Sequence, residues 1–165
     1  MERLYAPWRT KYVTSNEKKI EGCVFCHAVN TLDDDSKLGV LYREKDFFVV
    51  MNKYPYSPGH IMIIPNLHTS NLEDLDSQIF ADISNCAQKS VKMLKEVLNA
   101  QGVNIGMNLG KAAGAGIAEH IHLHLVPRWV GDTNFITTIG DTRIYSSDID
   151  EMYKRLKNVA ADYFR

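Results

Sequence analysis

Apolar residues recur along this chain at two periods. Over His120-Ile121-His122-Leu123-His124-Leu125-Val126 they alternate with histidines at a period of two. That is the strand period, so three imidazoles share one face and Ile121, Leu123 and Leu125 the other. Further strands are predicted at Val40–Arg43, Phe47–Asn52, His60–Pro65, Val103–Asn108 and Ile136–Ile139, where β-branched and aromatic residues gather. The period changes to three and four between about 76 and 100, where Ile79, Ile83, Ala87, Val91, Leu94 and Leu98 form the stripe of a long helix stopped by Gln101-Gly102. Ser70 and Glu73 have the spacing of a capping box before it. A last helix is predicted over about 148–163, with Ser146 or Ser147 as cap and Ile149, Met152, Tyr153, Leu156 and Val159 inward.

Polar and small residues punctuate these elements. Asp33-Asp34-Asp35-Ser36 reads as a solvated turn, Tyr54–Gly59 as a turn-rich loop and Gly110–Gly116 as a small-residue loop. Strands cluster on both sides of one long helix without β-α alternation, which predicts an α+β fold on an antiparallel sheet. One domain over residues 1–165 is expected, with 1–20 as an N-terminal arm and about 131–165 as a C-terminal extension. Leu4, Tyr5 and Trp8 in the arm suit either a second subunit or a strap on the chain's own core.

The 165 residues are 45% apolar, in the ordinary globular range. A net charge of −1 argues against bulk attraction to nucleic acid or an anionic membrane. The start, Met1-Glu2-Arg3-Leu4-Tyr5, lacks the apolar segment of a secretory leader, so a cytoplasmic location is expected. Three cysteines, Cys23, Cys26 and Cys86, do not suggest a disulfide framework. Cys86 falls among helical apolar positions and reads as a small buried hydrophobe.

The chemistry concentrates on histidine. The chain has six, and three stand within five residues. Same-face neighbours on a strand lie roughly 7 Å apart, so the row is about as long as a short polyphosphate. Neutral imidazole is a good nucleophile near neutral pH and can divide a hard displacement at phosphorus into two easier ones. A metal-binding strand is the other chemical reading of the row. Cys23-x-x-Cys26 lacks a second CxxC, so a closed tetrahedral site would draw its other ligands from histidine. Two reduced, buried cysteines are the plainer alternative.

The ordered set of motifs resembles the histidine triad (HIT) superfamily of nucleotide hydrolases and transferases. It comprises Cys23-x-x-Cys26, Asn52 before Pro58-Gly59-His60, Pro65-x-x-His68, Asn108 before a glycine loop, and His120-x-His122-x-His124 before Pro127-Arg128. The match covers about residues 20–130. Asn52, the run Asn108-x-Gly110-x-x-Ala113-Gly114-Ala115-Gly116, and Pro127-Arg128-Trp129 with Gly131–Phe135 resemble the fragile-histidine-triad branch, closest to the bacterial diadenosine tetraphosphate phosphorylases. One position departs: many members carry glutamine where this chain has Gly116.

The resemblance implies a HIT-like fold and cleavage of dinucleoside polyphosphates through a nucleotidyl-His122 intermediate, with phosphate or water as acceptor. It makes His122 the nucleophile, with His124 and His60 as helpers. Asn52 would meet the ribose, Val50 would wall the base, and Asn108 with Gly114, Ala115 and Gly116 would contribute to nucleotide binding. The loop N–H groups at Gly114–Gly116 would take over the missing glutamine's phosphate contact. Arg128 would meet phosphate or a partner subunit, or form a surface ion pair. The zinc-bearing members add His68 and His120 to Cys23 and Cys26, a structural Zn²⁺ site with no open position; His27 is a competing ligand without a family counterpart. The expected partners are the nucleotide, inorganic phosphate and a second copy of the chain as a homodimer. Three other readings stay open: a phosphoramidate hydrolase or nucleotidyl transferase, a nucleotide-binding regulatory module without turnover, and a catalytic metal on all three triad histidines.

Overall fold

The computed structural model describes residues 20–140 and 147–165. Among them, five strands form one antiparallel sheet: β1 Val40–Arg43, β2 Phe47–Met51, β3 Ile61–Pro65, β4 Gly102–Gly106 and β5 Leu123–Arg128, in the order β1-β2-β3-β5-β4. Five helices accompany it: α1 Val24–Asn30, α2 Asp35–Leu38, α3 Ser77–Leu98, α4 Phe135–Ile139 and α5 Ile149–Phe164. This is the α+β architecture that the alternating patterns predict, with α3 as the long helix and α5 as the C-terminal one.

Both faces of the sheet are covered. On one, Phe47, Val49, Ile61, Ile63, Leu123 and Leu125 meet Ile83, Ala87 and Leu94 of α3 and Leu156 of α5. Full burial of each such side chain is worth about 1.5–3 kcal/mol. On the other, Phe48, Val50, Met62 and Ile64 lie beneath Phe25 and Ala28 of α1. Strand alternation therefore separates a general core from a smaller apolar cluster on the histidine face. Cys86 is buried, and burial pushes its thiol pKa up to about 12, which fits an inert core residue. α5 is fastened to the β1 edge: Lys157 Nζ donates to the carbonyls of Val40 (2.9 Å) and Leu41 (3.1 Å), and Tyr153 Oη donates to that of Val40 (3.1 Å).

Several local expectations change. Ile136–Ile139 lies in α4 rather than a strand, because Asn134 Oδ1 accepts from the Ile136 N–H and starts a helical turn. Ser70 and Glu73 make no capping box; Leu72–Asp74 is a single 3₁₀ turn, and Asp76 caps α3 by accepting from the N–H groups of Gln78 and Ile79. α3 closes on Asn99 in the left-handed conformation (φ 53°), and Gly102 opens β4. Asp148 caps α5 by accepting from the Glu151 N–H; Ser146 lies outside the described residues. The Asp33–Ser36 run is more than a solvated turn, since Asp35 opens α2 and pairs with Arg43 (2.8 Å) and Lys157 (3.3 Å). The arm at 1–19 also lies outside the described residues.

Candidate active site and metal centre

The ladder between β3 and β5 ends at Ile63 and Leu123, so His120 and His122 precede the strand proper. The alternation nonetheless continues. Ile121 packs into the general core and its N–H donates to the Thr69 carbonyl (2.8 Å), while Phe25 touches His120 and His122 on the opposite face. All three triad rings and His60 are buried.

Fixed backbone groups determine which nitrogen of each ring carries hydrogen. The Tyr56 N–H donates to Nδ1 of His60 (3.1 Å), and Asn52 Nδ2 lies 3.3 Å from the same atom. His60 Nδ1 is therefore an acceptor, and its proton sits on Nε2. That Nε2–H faces Nδ1 of His124 at 3.0 Å, which leaves the His124 proton on Nε2. His122 Nδ1–H donates to the His120 carbonyl (2.9 Å), so its Nε2 presents a lone pair. His120 Nε2–H donates to the Pro65 carbonyl (2.9 Å), so its Nδ1 does the same. The row thus presents two kinds of group: a lone pair on His122 beside an N–H on His124, and a separate lone pair on His120.

Burial favours the neutral form of His60, His124 and His120. It lowers the His60 pKa to about 3, and positive charge on His124 and His122 would lower it further. Burial, then His122, lowers that of His124 to about 4. Burial also lowers the His120 pKa, partly offset by its bond to the Pro65 carbonyl.

The His120 lone pair meets a second cluster. Cys23, Cys26, His68 and His120 bring one ligand atom each within 4.8 Å of one another. His120 Nδ1 lies 3.4 Å from Cys23 Sγ, 3.6 Å from Cys26 Sγ and 3.3 Å from His68 Nδ1; Cys26 Sγ lies 3.1 Å from His68 Nδ1. A tetrahedral zinc site with bonds of about 2.0–2.3 Å has edges of roughly 3.3–3.8 Å. The soft sulfurs, the deprotonated Nδ1 of His120 and these separations suit zinc. His27 is exposed and stands outside the cluster. Among the described residues the triad does not converge as one metal site, since only His120 joins these ligands.

The other expected site residues are placed as follows. Asn52 completes the turn around His60: its Oδ1 accepts from the Tyr54 N–H (2.9 Å) and its own N–H donates to the His60 carbonyl (2.9 Å). Val50 is buried beneath α1 in the smaller apolar cluster. Asn108 and Gly114–Gly116 make no hydrogen bond to the histidines among the described residues. The N–H groups of Gly114 and Ala115 are used within the loop, donating to the carbonyls of Lys111 (3.0 Å) and Gly110 (3.3 Å). Arg128 forms an ion pair with Asp132 (2.7 Å) and also reaches Asn104 Oδ1 (3.0 Å). Phe25 and Tyr56 were not foreseen. Phe25 carried a signal, as an aromatic between two cysteines; Tyr56 carried only its place in a turn before His60.

A family model described as the HIT domain matches residues 34–130. The chain belongs to the HIT family. This HIT protein is 38% identical over 151 residues to an AP-4-A phosphorylase of Mycobacterium tuberculosis (strain CDC 1551 / Oshkosh), covering 87% of this chain and 76% of that one. It is 32% identical over 93 residues to the asymmetrical bis(5'-nucleosyl)-tetraphosphatase of Schizosaccharomyces pombe, covering 56% and 50%. Among solved structures, a zinc-bound histidine triad family protein from Mycobacterium smegmatis superposes with a TM-score of 0.70 at 31% identity, covering 86% of this chain and 94% of that one. No helix among the described residues is long and apolar enough to cross a membrane.

Proposed function

We propose that this HIT protein cleaves dinucleoside polyphosphates, diadenosine tetraphosphate among them, through a nucleotide carried on His122. The observation that carries this reading is the bond from His122 Nδ1–H to the His120 carbonyl, which leaves Nε2 free to attack. Nε2 forms a bond to the α-phosphorus as the anhydride P–O bond breaks. The imidazole becomes cationic, and the His120 carbonyl, already accepting from Nδ1, stabilises it. The departing nucleoside polyphosphate is a stable anion, so the His124 Nε2–H need only donate a hydrogen bond to it. His60 holds that proton in place through His124 Nδ1.

The acceptor then attacks the same phosphorus and frees His122. With phosphate, diadenosine tetraphosphate gives ADP and ATP; with water, AMP and ATP. The identity to an AP-4-A phosphorylase favours phosphate. Asn52 meets the ribose and the apolar cluster around Val50 receives the base. Asn108 and Gly114, Ala115 and Gly116 complete the pocket. Since two loop N–H groups are already used, the phosphate contact falls to those from Gly116 onward. Zinc held by Cys23, Cys26, His68 and His120 is structural: it joins α1 to the segment that carries His122. The outer edge of β4, unpaired among the described residues and with Ile105 51% exposed, supports a homodimer.

The test is product analysis of diadenosine tetraphosphate with and without phosphate. ADP and ATP formed only with phosphate identify a phosphorylase; AMP and ATP in both tubes identify a hydrolase. Absence of cleavage in both would overturn the proposal.

A further inference from the structure

We propose that Tyr56 is the stacking platform for the second, departing nucleoside, and so sets a preference for substrates with two bases. This inference rests on the dinucleoside reading above. Two aromatic rings bracket the histidines. Phe25, a member of the smaller apolar cluster, packs on His120 and His122 (centroids 5.5 and 5.2 Å away) at one end of the row. Tyr56 packs on His60 and His124 (4.7 and 5.7 Å), at the other end. The two differ in accessibility: Phe25 is 7% exposed and Tyr56 50%. A chain of phosphates crossing the row joins a base at one end to a base at the other.

The direction of the reaction assigns the ends. His124 Nε2–H is the donor that meets the departing oxygen, and Tyr56 lies against His124. The leaving half of the substrate therefore passes Tyr56. That ring is mounted on a closed turn. The His60 N–H donates to the Ser57 carbonyl (3.1 Å), the Asn52 N–H donates to the His60 carbonyl (2.9 Å), and the Tyr56 N–H is held by His60. A half-open aromatic on so constrained a backbone needs little further ordering to receive a base. Stacking also tolerates any base, because each presents a π face.

The test compares diadenosine tetraphosphate with adenosine 5'-tetraphosphate, which has the same α-anhydride but one base. Each is assayed with the wild type, Tyr56→Ala and Tyr56→Trp. Tyr56→Ala is expected to lower kcat/KM for the two-base substrate about tenfold more than for the one-base substrate, mainly through KM. Tyr56→Trp is expected to restore the wild-type ratio. The ratio is internal to each variant, so a partly unfolded preparation does not distort it. Equal losses on both substrates would make Tyr56 a positioning residue for His60 and His124 and overturn the proposal, as would no loss on either. A wild type inactive on both substrates would instead remove the dinucleoside reading, and this inference with it.

Discussion

His60 Nε2 donates to His124 Nδ1 across 3.0 Å, between two buried rings. Both pKa values are depressed by burial, to about 3 and about 4. The unfolded chain takes up these protons near the ordinary histidine value and the folded chain much lower. Between those values the unfolded state holds more protons, so stability rises with pH and is lost as pH falls from about 6.5 towards 4. Each histidine contributes on the order of 2 kcal/mol of destabilisation at about pH 4.5 relative to neutral pH. Urea unfolding of the wild type and His60→Asn, in the same metal state, checks this: the variant's acid loss is expected to be smaller by about that amount. An identical loss in both would refute it.

Much of this arrangement was legible from period and spacing. The alternation at His120–Leu125 placed the imidazoles opposite Ile121, Leu123 and Leu125, and Ile83, Ala87, Leu94 and Leu98 of α3 are buried as their spacing demands. Hydrogen bonds to backbone groups distant in sequence were not legible. The Pro65 carbonyl that orients His120 is 55 residues away, and no local pattern announces it. At Ile136–Ile139, β-branched composition pointed to a strand, but the Asn134 cap prevailed over that weak preference. The resemblance implied His68 as a ligand, and the structure brings its Nδ1 to 3.1 Å from Cys26 Sγ.

The four-residue cluster predicts one zinc per chain. Cys26→Ser and His68→Ala are expected to lose it, whereas His27→Ala keeps it. A chelator lowers the Tm of the wild type but leaves that of Cys26→Ser unchanged, because structural zinc binds only the folded site. Metal analysis with thermal melts decides it. Full zinc in a Cys23→Ser/Cys26→Ser double variant would place the metal elsewhere.

Lys157 joins α5 to the β1 edge through two carbonyls and Asp35. Lys157→Met keeps much of the apolar stem and removes the donors. A loss of about 1–2 kcal/mol is expected in urea unfolding. Activity per folded molecule should stay near the wild-type value, because the staple lies at the sheet edge remote from the histidines. A stability change below about 0.3 kcal/mol would mean that water replaces these bonds without loss.

Gly59 precedes His60 with φ 74°, and an added Cβ would stand 2.3 Å from Leu98 Cδ1. Leu98 can swing aside, but the backbone strain remains. Gly59→Ala is expected to destabilise the fold by about 1–2 kcal/mol and to lower kcat by displacing His60. Unfolding and steady-state kinetics read the two effects separately. Unchanged kcat in a destabilised variant would show that the relay does not depend on this turn.

Whether His122 carries the nucleotide is read out by intact-protein mass spectrometry. Wild type and His122→Gly are mixed with diadenosine tetraphosphate in phosphate-free buffer, quenched in alkaline denaturant within milliseconds to seconds because the P–N bond is acid-labile, and digested at alkaline pH to locate any adduct. The expected result is one adenylate on His122 of the wild type, discharged as ADP when phosphate is added before the quench, and no adduct on the variant. Turnover by His122→Gly at the wild-type rate, or an adenylate on any other residue, would exclude His122 as the carrier.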